Sequence, residues 1–150
     1  MSKTRIGDPF MSGGDYGRSM PKFSVNLLVR NVERSVNFYR DVIGVTVRYS
    51  DGDFAALELQ GCSFMLHADH TYDHHPFFAR LSGAGLRGDG VELRFLGADP
   101  DSIEQRARNA GATILQPAKD YAHGWREVIM VDPAGYVWAL GVNIPPLADR

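Results

Sequence analysis

The sequence predicts an α+β fold of two βαβββ modules, whose strands form a mixed curved sheet around a concave cleft with the helices outside. Three observations predict it. An alternating segment at 25–29 precedes a helical pattern that ends at Gly44, and a similar segment at 91–95 precedes one that ends at Gly111. Both helical patterns begin at a capping residue and end at glycine. Such a repeat indicates two units that pack together, because one unit alone leaves its apolar face uncovered.

The first module starts with a predicted strand at 23–29, where apolar side chains occupy every second position. Asn31 is a good helix N-cap, and Gly44 stands where a left-handed residue ends a helix. Three predicted strands follow, at 45–49, 54–59 and 63–67. Asp51 and Gly52 form a strong hairpin signal between the first two.

The second module repeats this order. After the predicted strand at 91–96, Asp99 is a suitable N-cap and Pro100 occupies the first helical position, where its missing N–H costs nothing. Gly111 ends the helix. The following strands are predicted at 113–115, 126–131 and 136–140. A tight turn at 132–135 joins the last two.

The predicted domain organisation is one folded domain between two tails. The segments are a flexible N-terminal tail (1–21), the domain (22–144) and a C-terminal tail (145–150). Within the domain, module one covers 22–75, a connector covers 76–89 and module two covers 90–144. Glycine, serine, aspartate and lysine dominate the first tail, which favours disorder. Phe10 and Tyr16 are its candidates for docking, for instance on a partner subunit.

Composition narrows the class of protein. The 150 residues are 44% hydrophobic and 23% charged, which is ordinary for a globular protein. A formal charge of −2 gives no electrostatic reason to expect nucleic acid, and no apolar run reaches the roughly 20 residues that span a bilayer. Cys62 is the single cysteine, which excludes an internal disulfide. We therefore expect a cytoplasmic protein whose partner is a small molecule.

Two segments resemble a known family. Residues 31–44 (NVERSVNFYRDVIG) resemble the first helix of the vicinal oxygen chelate superfamily, which holds the glyoxalases, bleomycin-resistance proteins and extradiol dioxygenases. Residues 131–140 (VDPAGYVWAL) resemble its closing hairpin. With the repeat, the resemblance covers about 22–144. It is specific for the fold and poor at naming a reaction, because one scaffold hosts many chemistries.

The resemblance implies where a metal would be held. In metal-using members, four side chains converge, one from the first and one from the fourth strand of each module. Counting from the helix-ending glycines places Ser24 and Glu92 at the first-strand positions. Counting from the closing turn places Ala139 at the last position. The first module's fourth strand offers Met65, or His67 if the register moves by two.

These residues form a poor metal site. A divalent ion needs three or four nitrogen or oxygen ligands at about 2.0–2.2 Å. Alanine supplies none, methionine suits a hard ion badly and serine is a weak ligand. We predict no metal cofactor; the alternative is a divalent metal held through Glu92 and His67. His70, His74 and His75, in the loop after the first module's last strand, are predicted to be solvent-exposed.

The predicted cleft instead carries polar and aromatic side chains. Alternation turns Glu92 and Arg94 away from the apolar set of their strand, close enough to form an ion pair. Trp125 is a candidate aromatic wall, and His123 lies at the expected cleft mouth. The predicted ligand-binding residues are Ser24, Asn26, Met65, His67, Arg94, Trp125 and Arg126. The catalytic candidates are Glu92 and His123.

Three functions fit this pattern. The first is a metal-free small-molecule binder of the bleomycin-resistance type. The second is a lyase, isomerase or dioxygenase-like enzyme that uses Glu92 with His67 or His123. The third is an assembly or regulatory module. A homodimer is expected in each case, because members of the superfamily assemble their clefts from two units and exposed sheet edges need covering.

Overall fold

The computed structural model describes residues 11–82 and 87–146. The chain forms two compact units, Met1–Val36 with Val45–Ala84 and Asn37–Gly44 with Gly85–Arg150. Phe10, most of the predicted C-terminal tail (147–150) and connector residues 83–86 lie outside the described residues. Residues 37–44 continue the first helix along the chain but pack with the second unit.

The first unit holds a mixed four-stranded sheet in the order β1-β4-β3-β2. Its elements are α1 (Gly13–Ser19), β1 (Asn26–Val29), the start of α2 (Val32–Phe38), β2 (Thr46–Ser50), β3 (Phe54–Leu59) and β4 (Cys62–Ala68). β1 pairs with β4 in parallel, which sets Asn26 opposite Met65 and Leu28 opposite His67. Asn26 of the first strand therefore lies beside Met65 of the fourth, and Leu28 lies beside His67.

The predicted ends of the first helix are confirmed. The Asn31 side chain accepts a hydrogen bond from the Arg34 backbone N–H at 2.9 Å. After α2 the chain makes a π-helical turn, Tyr39–Ile43, and Gly44 stops it with a φ of 90°. Glycine suits that position because it has no Cβ to clash in the left-handed region.

The predicted hairpin between β2 and β3 is also confirmed. Asp51 Oδ1 accepts hydrogen bonds from the backbone N–H groups of Asp53 and Phe54, at 2.8 and 2.9 Å. An aspartate that satisfies the backbone two and three residues later is the usual anchor of such a turn. Beyond β4, two short 3₁₀ turns follow, Asp69–Tyr72 and Pro76–Arg80.

The second unit repeats the order, with a sheet arranged β5-β8-β7-β6. Its elements are β5 (Glu92–Leu96), α3 (Pro100–Asn109), β6 (Thr113–Asp120), β7 (Trp125–Val131) and β8 (Val137–Asn143). Asp99 caps α3, accepting from the Asp101 N–H and the Ser102 hydroxyl. The predicted α+β class and the βαβββ repeat are confirmed. β6 runs five residues beyond its predicted end because it continues pairing with β7 as far as Asp120.

The turn between β7 and β8 is organised around Asp132, which is 5% exposed. Its Oδ1 accepts from the backbone N–H groups of residues 134–136 at 2.9–3.0 Å. Its Oδ2 accepts from the Trp138 indole at 2.9 Å and from the Tyr39 hydroxyl. Burial, reinforced by the Asp132 charge, raises the pKa of Tyr39 well above its ordinary value. The closing turn is therefore tied to the helix end at 39–43 by a buried carboxylate.

Part of the predicted flexible tail has structure. Ser12 caps α1, and Tyr16 packs edge-on against Phe54 with ring centroids 5.1 Å apart. Met20 packs against the buried cluster that Phe54 forms with Ala56 and Met65. Composition gave no sign of this, because the contact depends on an apolar surface that a distant strand provides.

None of the described helices is long and apolar enough to cross a membrane.

Candidate functional site

One face of the second sheet carries a connected polar network. In β5, Phe95 stacks on the buried Trp138 at 5.8 Å, on the side that forms the core. Alternation turns the neighbouring Glu92 and Arg94 to the opposite side. Glu127 of β7 reaches the same side. We call Glu92, Arg94, Tyr121, His123, Trp125 and Glu127 the Arg94 cluster.

Arg94 is the centre of this cluster. Its Nη1 donates to Glu92 Oε1 at 2.6 Å, and its Nη2 donates to Glu127 Oε2 at 2.7 Å. The guanidinium also lies over the Trp125 ring, 4.6 Å from the centroid. The hydrogen bond with Glu92, followed by the charges of the two glutamates, raises the pKa of Arg94. The predicted Glu92–Arg94 ion pair is confirmed, and it extends to a third residue.

Glu127 is the buried member. Its side chain is 2% exposed, whereas those of Glu92 and Arg94 are 40% and 35% exposed. A buried carboxylate is costly unless it is paired with a positive charge. Arg94 supplies that charge, and the pairing holds the guanidinium in place. The cluster therefore presents a guanidinium whose position is fixed before any ligand arrives.

The turn between β6 and β7 adds two aromatic side chains. The His123 ring lies 5.3 Å from Tyr121 and 6.2 Å from Trp125, centroid to centroid. His123 Nε2 lies 3.4 Å from Arg94 Nη2 and 3.6 Å from Glu127 Oε2. A guanidinium only donates, so Nε2 is the acceptor in the first contact and the ring proton belongs on Nδ1. His123 thus sits beside the buried carboxylate, at the edge of the cluster.

Tyr121 carries an unsatisfied group. Within residues 11–82 and 87–146, its hydroxyl is the buried side-chain polar atom that lacks a hydrogen-bond partner. Burial, then the charges of Glu127 and Glu92, raise the pKa of Tyr121, so the hydroxyl keeps its proton at neutral pH. Leaving such a group unpaired costs about 1–3 kcal/mol. An orphaned donor in such a network can bond a group that the chain itself does not supply, either a water molecule or a ligand.

The first unit brings together a different set. His67 Nδ1 lies 2.7 Å from Asn26 Oδ1, and Asn26 Nδ2 donates to the Tyr72 hydroxyl at 2.7 Å. The His67 ring is also 5.0 Å from Phe54 and 5.5 Å from Tyr72. Met65 is the Cα partner of Asn26, in the neighbouring strand. This network joins imidazole, amide and phenol groups, whereas the Arg94 cluster holds a guanidinium and two carboxylates.

Ser24 and Arg126 are placed differently from these groups. Ser24 precedes β1 and is exposed. The Arg126 guanidinium donates to Asp101 of α3 at 2.7 Å and to Asp120 at 3.1 Å. Since Arg126 adjoins Glu127 in the strand, it points to the helix-covered side rather than to the Arg94 cluster. Their assignment as ligand-binding residues stays a prediction.

The three histidines of the loop after β4, His70, His74 and His75, do not converge. His70 pairs with the buried Asp53 at 2.7 Å, and His75 accepts a hydrogen bond from the Phe77 N–H at 3.0 Å. His74 lies 3.8 Å from its neighbour Asp73. All three are exposed, as predicted.

The donor set does not suit the divalent metal that the superfamily resemblance implies. Ala139 is fully buried and offers no donor, and Glu92 is hydrogen-bonded to a guanidinium that already supplies positive charge. In the described part of the chain, no group of three or more His, Cys, Asp and Glu side chains is arranged to hold a metal. We therefore derive no chemistry through a metal.

Sequence reasoning missed Glu127 and Tyr121. A signal for Glu127 existed, because Val128 and Met130 mark the buried side of β7 and alternation then turns Glu127 the other way, with Trp125. The same parity separates Arg126 from Trp125. Tyr121 had no such signal, since it follows β6 in a turn whose geometry the sequence does not encode.

The sequence matches known proteins along most of its length. A family model described as a glyoxalase-like domain matches residues 24–140. An uncharacterized protein of Mycobacterium tuberculosis is 30% identical over 149 residues, covering 94% of this chain and 86% of that protein. An uncharacterized protein of Mycobacterium bovis is 30% identical over 127 residues, covering 81% and 82%.

Solved structures share the fold at lower identity. A glyoxalase/bleomycin resistance protein/dioxygenase family enzyme from Burkholderia phytofirmans PsJN superposes with a TM-score of 0.66 at 18% identity, covering 81% of this chain and 97% of that one. A glyoxalase-related enzyme from Fulvimarina pelagi gives 0.64 at 18% identity, covering 80% and 86%. At this identity the likeness concerns the fold alone.

Proposed function

Because the chain belongs to the glyoxalase-like domain family of the vicinal oxygen chelate superfamily, we propose that it is a metal-free small-molecule binding protein that recognises its ligand through the Arg94 cluster. Two features carry the proposal: the Tyr121 hydroxyl has no hydrogen-bond partner among the described residues, and Glu127 already orients the Arg94 guanidinium. Binding is strengthened when the protein's groups are ordered beforehand, since less conformational freedom is then lost.

The cluster favours a neutral ligand. Glu92 and Glu127 are balanced by Arg94 and by Lys119, whose ammonium lies 4.9 Å from the Tyr121 ring centroid. With these charges cancelled, the site has no strong preference for either sign. The protonated Tyr121 hydroxyl calls for an oxygen acceptor, and the aromatic groups around it favour a planar body. The ligand class is a neutral, planar compound with a carbonyl or phenolic oxygen.

The test is a titration followed by the NMR signal of the Trp125 indole. The probe is chromone, a planar ketone, compared with 4H-chromene, which lacks the carbonyl. We expect chromone to shift the Trp125 signal and to bind about tenfold more tightly than chromene, which is the worth of one hydrogen bond. In Tyr121→Phe this preference is lost. Tyr49→Phe, in the other unit, is the matched control. Equal binding of the two probes to wild type would contradict the proposal.

An enzyme is the second candidate, and one observation favours it. The His123 imidazole lies 3.6 Å from the buried Glu127 carboxylate, just beyond hydrogen-bond distance, so a small shift would bring an acid and a base together. In that case Glu127 would take the role first assigned to Glu92. Against it, the Arg94 guanidinium occupies lone pairs of both carboxylates, which leaves less room to accept a proton from carbon. Stoichiometric metal in purified protein, or turnover lost in His123→Gln, would favour the enzyme.

A further inference from the structure

Residues 11–21 lie against the first sheet and line a partly open cavity of about 320 Å³ with it. Met11, Tyr16 and Met20 line the cavity from one side, and Ala56, Leu57 and Ser63 line it from the sheet. The residues that line the cavity belong to the first unit, and none of them is a member of the Arg94 cluster. The family match begins only at residue 24, after this segment.

The helix α1 of this segment contributes little stability of its own. None of the seven described residues of α1 is buried, and three of them are glycine, which weakens a helix by roughly 1 kcal/mol each. Its ion pair, Asp15 with Arg18, has side chains 64% and 75% exposed and therefore stabilises little. Tyr16 and Met20 pack against the buried cluster formed by Phe54, Ala56 and Met65.

From this geometry we propose that residues 11–21 form a strap that closes a second binding site, for an uncharged apolar molecule, over the first sheet. A cavity of about 150 Å³ holds benzene, so this one has room for roughly two rings. Its two methionines adapt to irregular apolar shapes because their side chains are unbranched and flexible. Arg48 also lines the cavity, and its guanidinium is paired with Glu58 at 2.6 Å, which leaves an uncharged occupant as the better match.

The strap is part of the site rather than a cover added to it. Tyr16 contributes a cavity wall and also makes the ring contact with Phe54. Removing that side chain therefore opens the cavity and loosens the strap together. Ser63 lines the cavity from the sheet but is itself exposed, so a large side chain there fills the space with little risk to the fold.

The experiment titrates the full-length protein with N-phenyl-1-naphthylamine, an uncharged probe that fluoresces in apolar surroundings. Wild type is expected to bind one equivalent. Ser63→Trp and Tyr16→Ala should each weaken binding at least tenfold. Ser50→Trp, an exposed serine on β2 that does not line the cavity, should bind like wild type. Circular dichroism of each variant confirms that it is folded.

Two results would overturn the strap site. One is the absence of probe binding by wild type; the other is unchanged affinity in folded Ser63→Trp. If Tyr16→Ala fails to fold, Ser63→Trp still decides the outcome, because it leaves the strap's own residues intact. Ser63→Trp should leave the preference for chromone over 4H-chromene unchanged, so this result is independent of the function proposed for the Arg94 cluster.

Discussion

The second unit contains two buried carboxylates that are held in different ways. Asp132, in the turn between β7 and β8, accepts hydrogen bonds from three backbone N–H groups, the Trp138 indole and the Tyr39 hydroxyl. Among the described residues, Glu127 accepts from one side chain, Arg94, which is itself one-third exposed.

The difference separates structural from functional burial. Backbone donors at a turn cannot move without undoing the fold, so the Asp132 charge is compensated permanently. The Glu127 charge instead depends on one guanidinium, which has five N–H donors and can contact a ligand while it stays paired with Glu127. The two carboxylates are buried to a similar degree. What distinguishes the one in a candidate binding site is the number and rigidity of the hydrogen-bond donors that it accepts from.

The largest effect is expected at Asp132. Replacing it with alanine leaves three backbone donors, the Trp138 indole and the Tyr39 hydroxyl without their partner, and should lower the free energy of unfolding by about 3–5 kcal/mol. Urea denaturation measures this. Glu127→Ala is the matched comparison and should cost about 1–3 kcal/mol, because Arg94 keeps Glu92 and solvent. An equal or greater loss at Glu127 would invalidate the distinction.

The Asp132 turn should also limit stability in alkali. Tyrosine in an unfolded chain ionises near pH 10, whereas burial raises the pKa of Tyr39 well above that value. The stability contributed by its protonated hydroxyl is complete below about pH 10 and is lost as the pH rises towards the folded-state pKa. Tyr39→Phe should be less stable than wild type at pH 8 yet lose less between pH 9 and 11. Parallel pH curves for both proteins would exclude Tyr39 as the cause.

An intermediate test concerns the Arg94–Glu127 pair alone. Arg94→Met should destabilise the protein by about 1–3 kcal/mol, the usual cost of leaving a buried polar group without its hydrogen-bond partner. Adding Glu127→Leu should recover most of that loss, because buried ion pairs are often no more stabilising than apolar residues of similar size. A double-mutant cycle by urea denaturation gives the coupling, and additive losses would argue against a paired role.

The smallest effect is expected at Tyr121. Removing an unsatisfied buried hydroxyl in Tyr121→Phe should leave stability unchanged or raise it by up to about 1 kcal/mol, while the preference for chromone disappears. A clear loss of stability in Tyr121→Phe would mean that the hydroxyl already has a hydrogen-bond partner in the free protein. Thermal unfolding measured beside the titration separates the two cases.

Much of the fold was predictable because its signals are local. Alternation identified the strands of both modules, and Asn31, Asp99, Gly44 and the Asp51 turn act within a few residues of their own positions. The family followed from the same helix and hairpin segments. For the candidate site, alternation along β5 correctly placed Glu92 and Arg94 on one side of the sheet. The same rule applied to β7 would have assigned Glu127 to the site in place of Arg126.

By itself, the sequence determined the repeated α+β architecture, the family and the side of β5 on which polar residues lie, because each depends on short-range periodicity. Only the tertiary structure decided that Arg94 joins Glu92 to Glu127, that Tyr121 is left without a partner, and that Tyr16 docks on Phe54. Those contacts join residues from separate elements, and their energies depend on burial and geometry that arise only when the chain is packed.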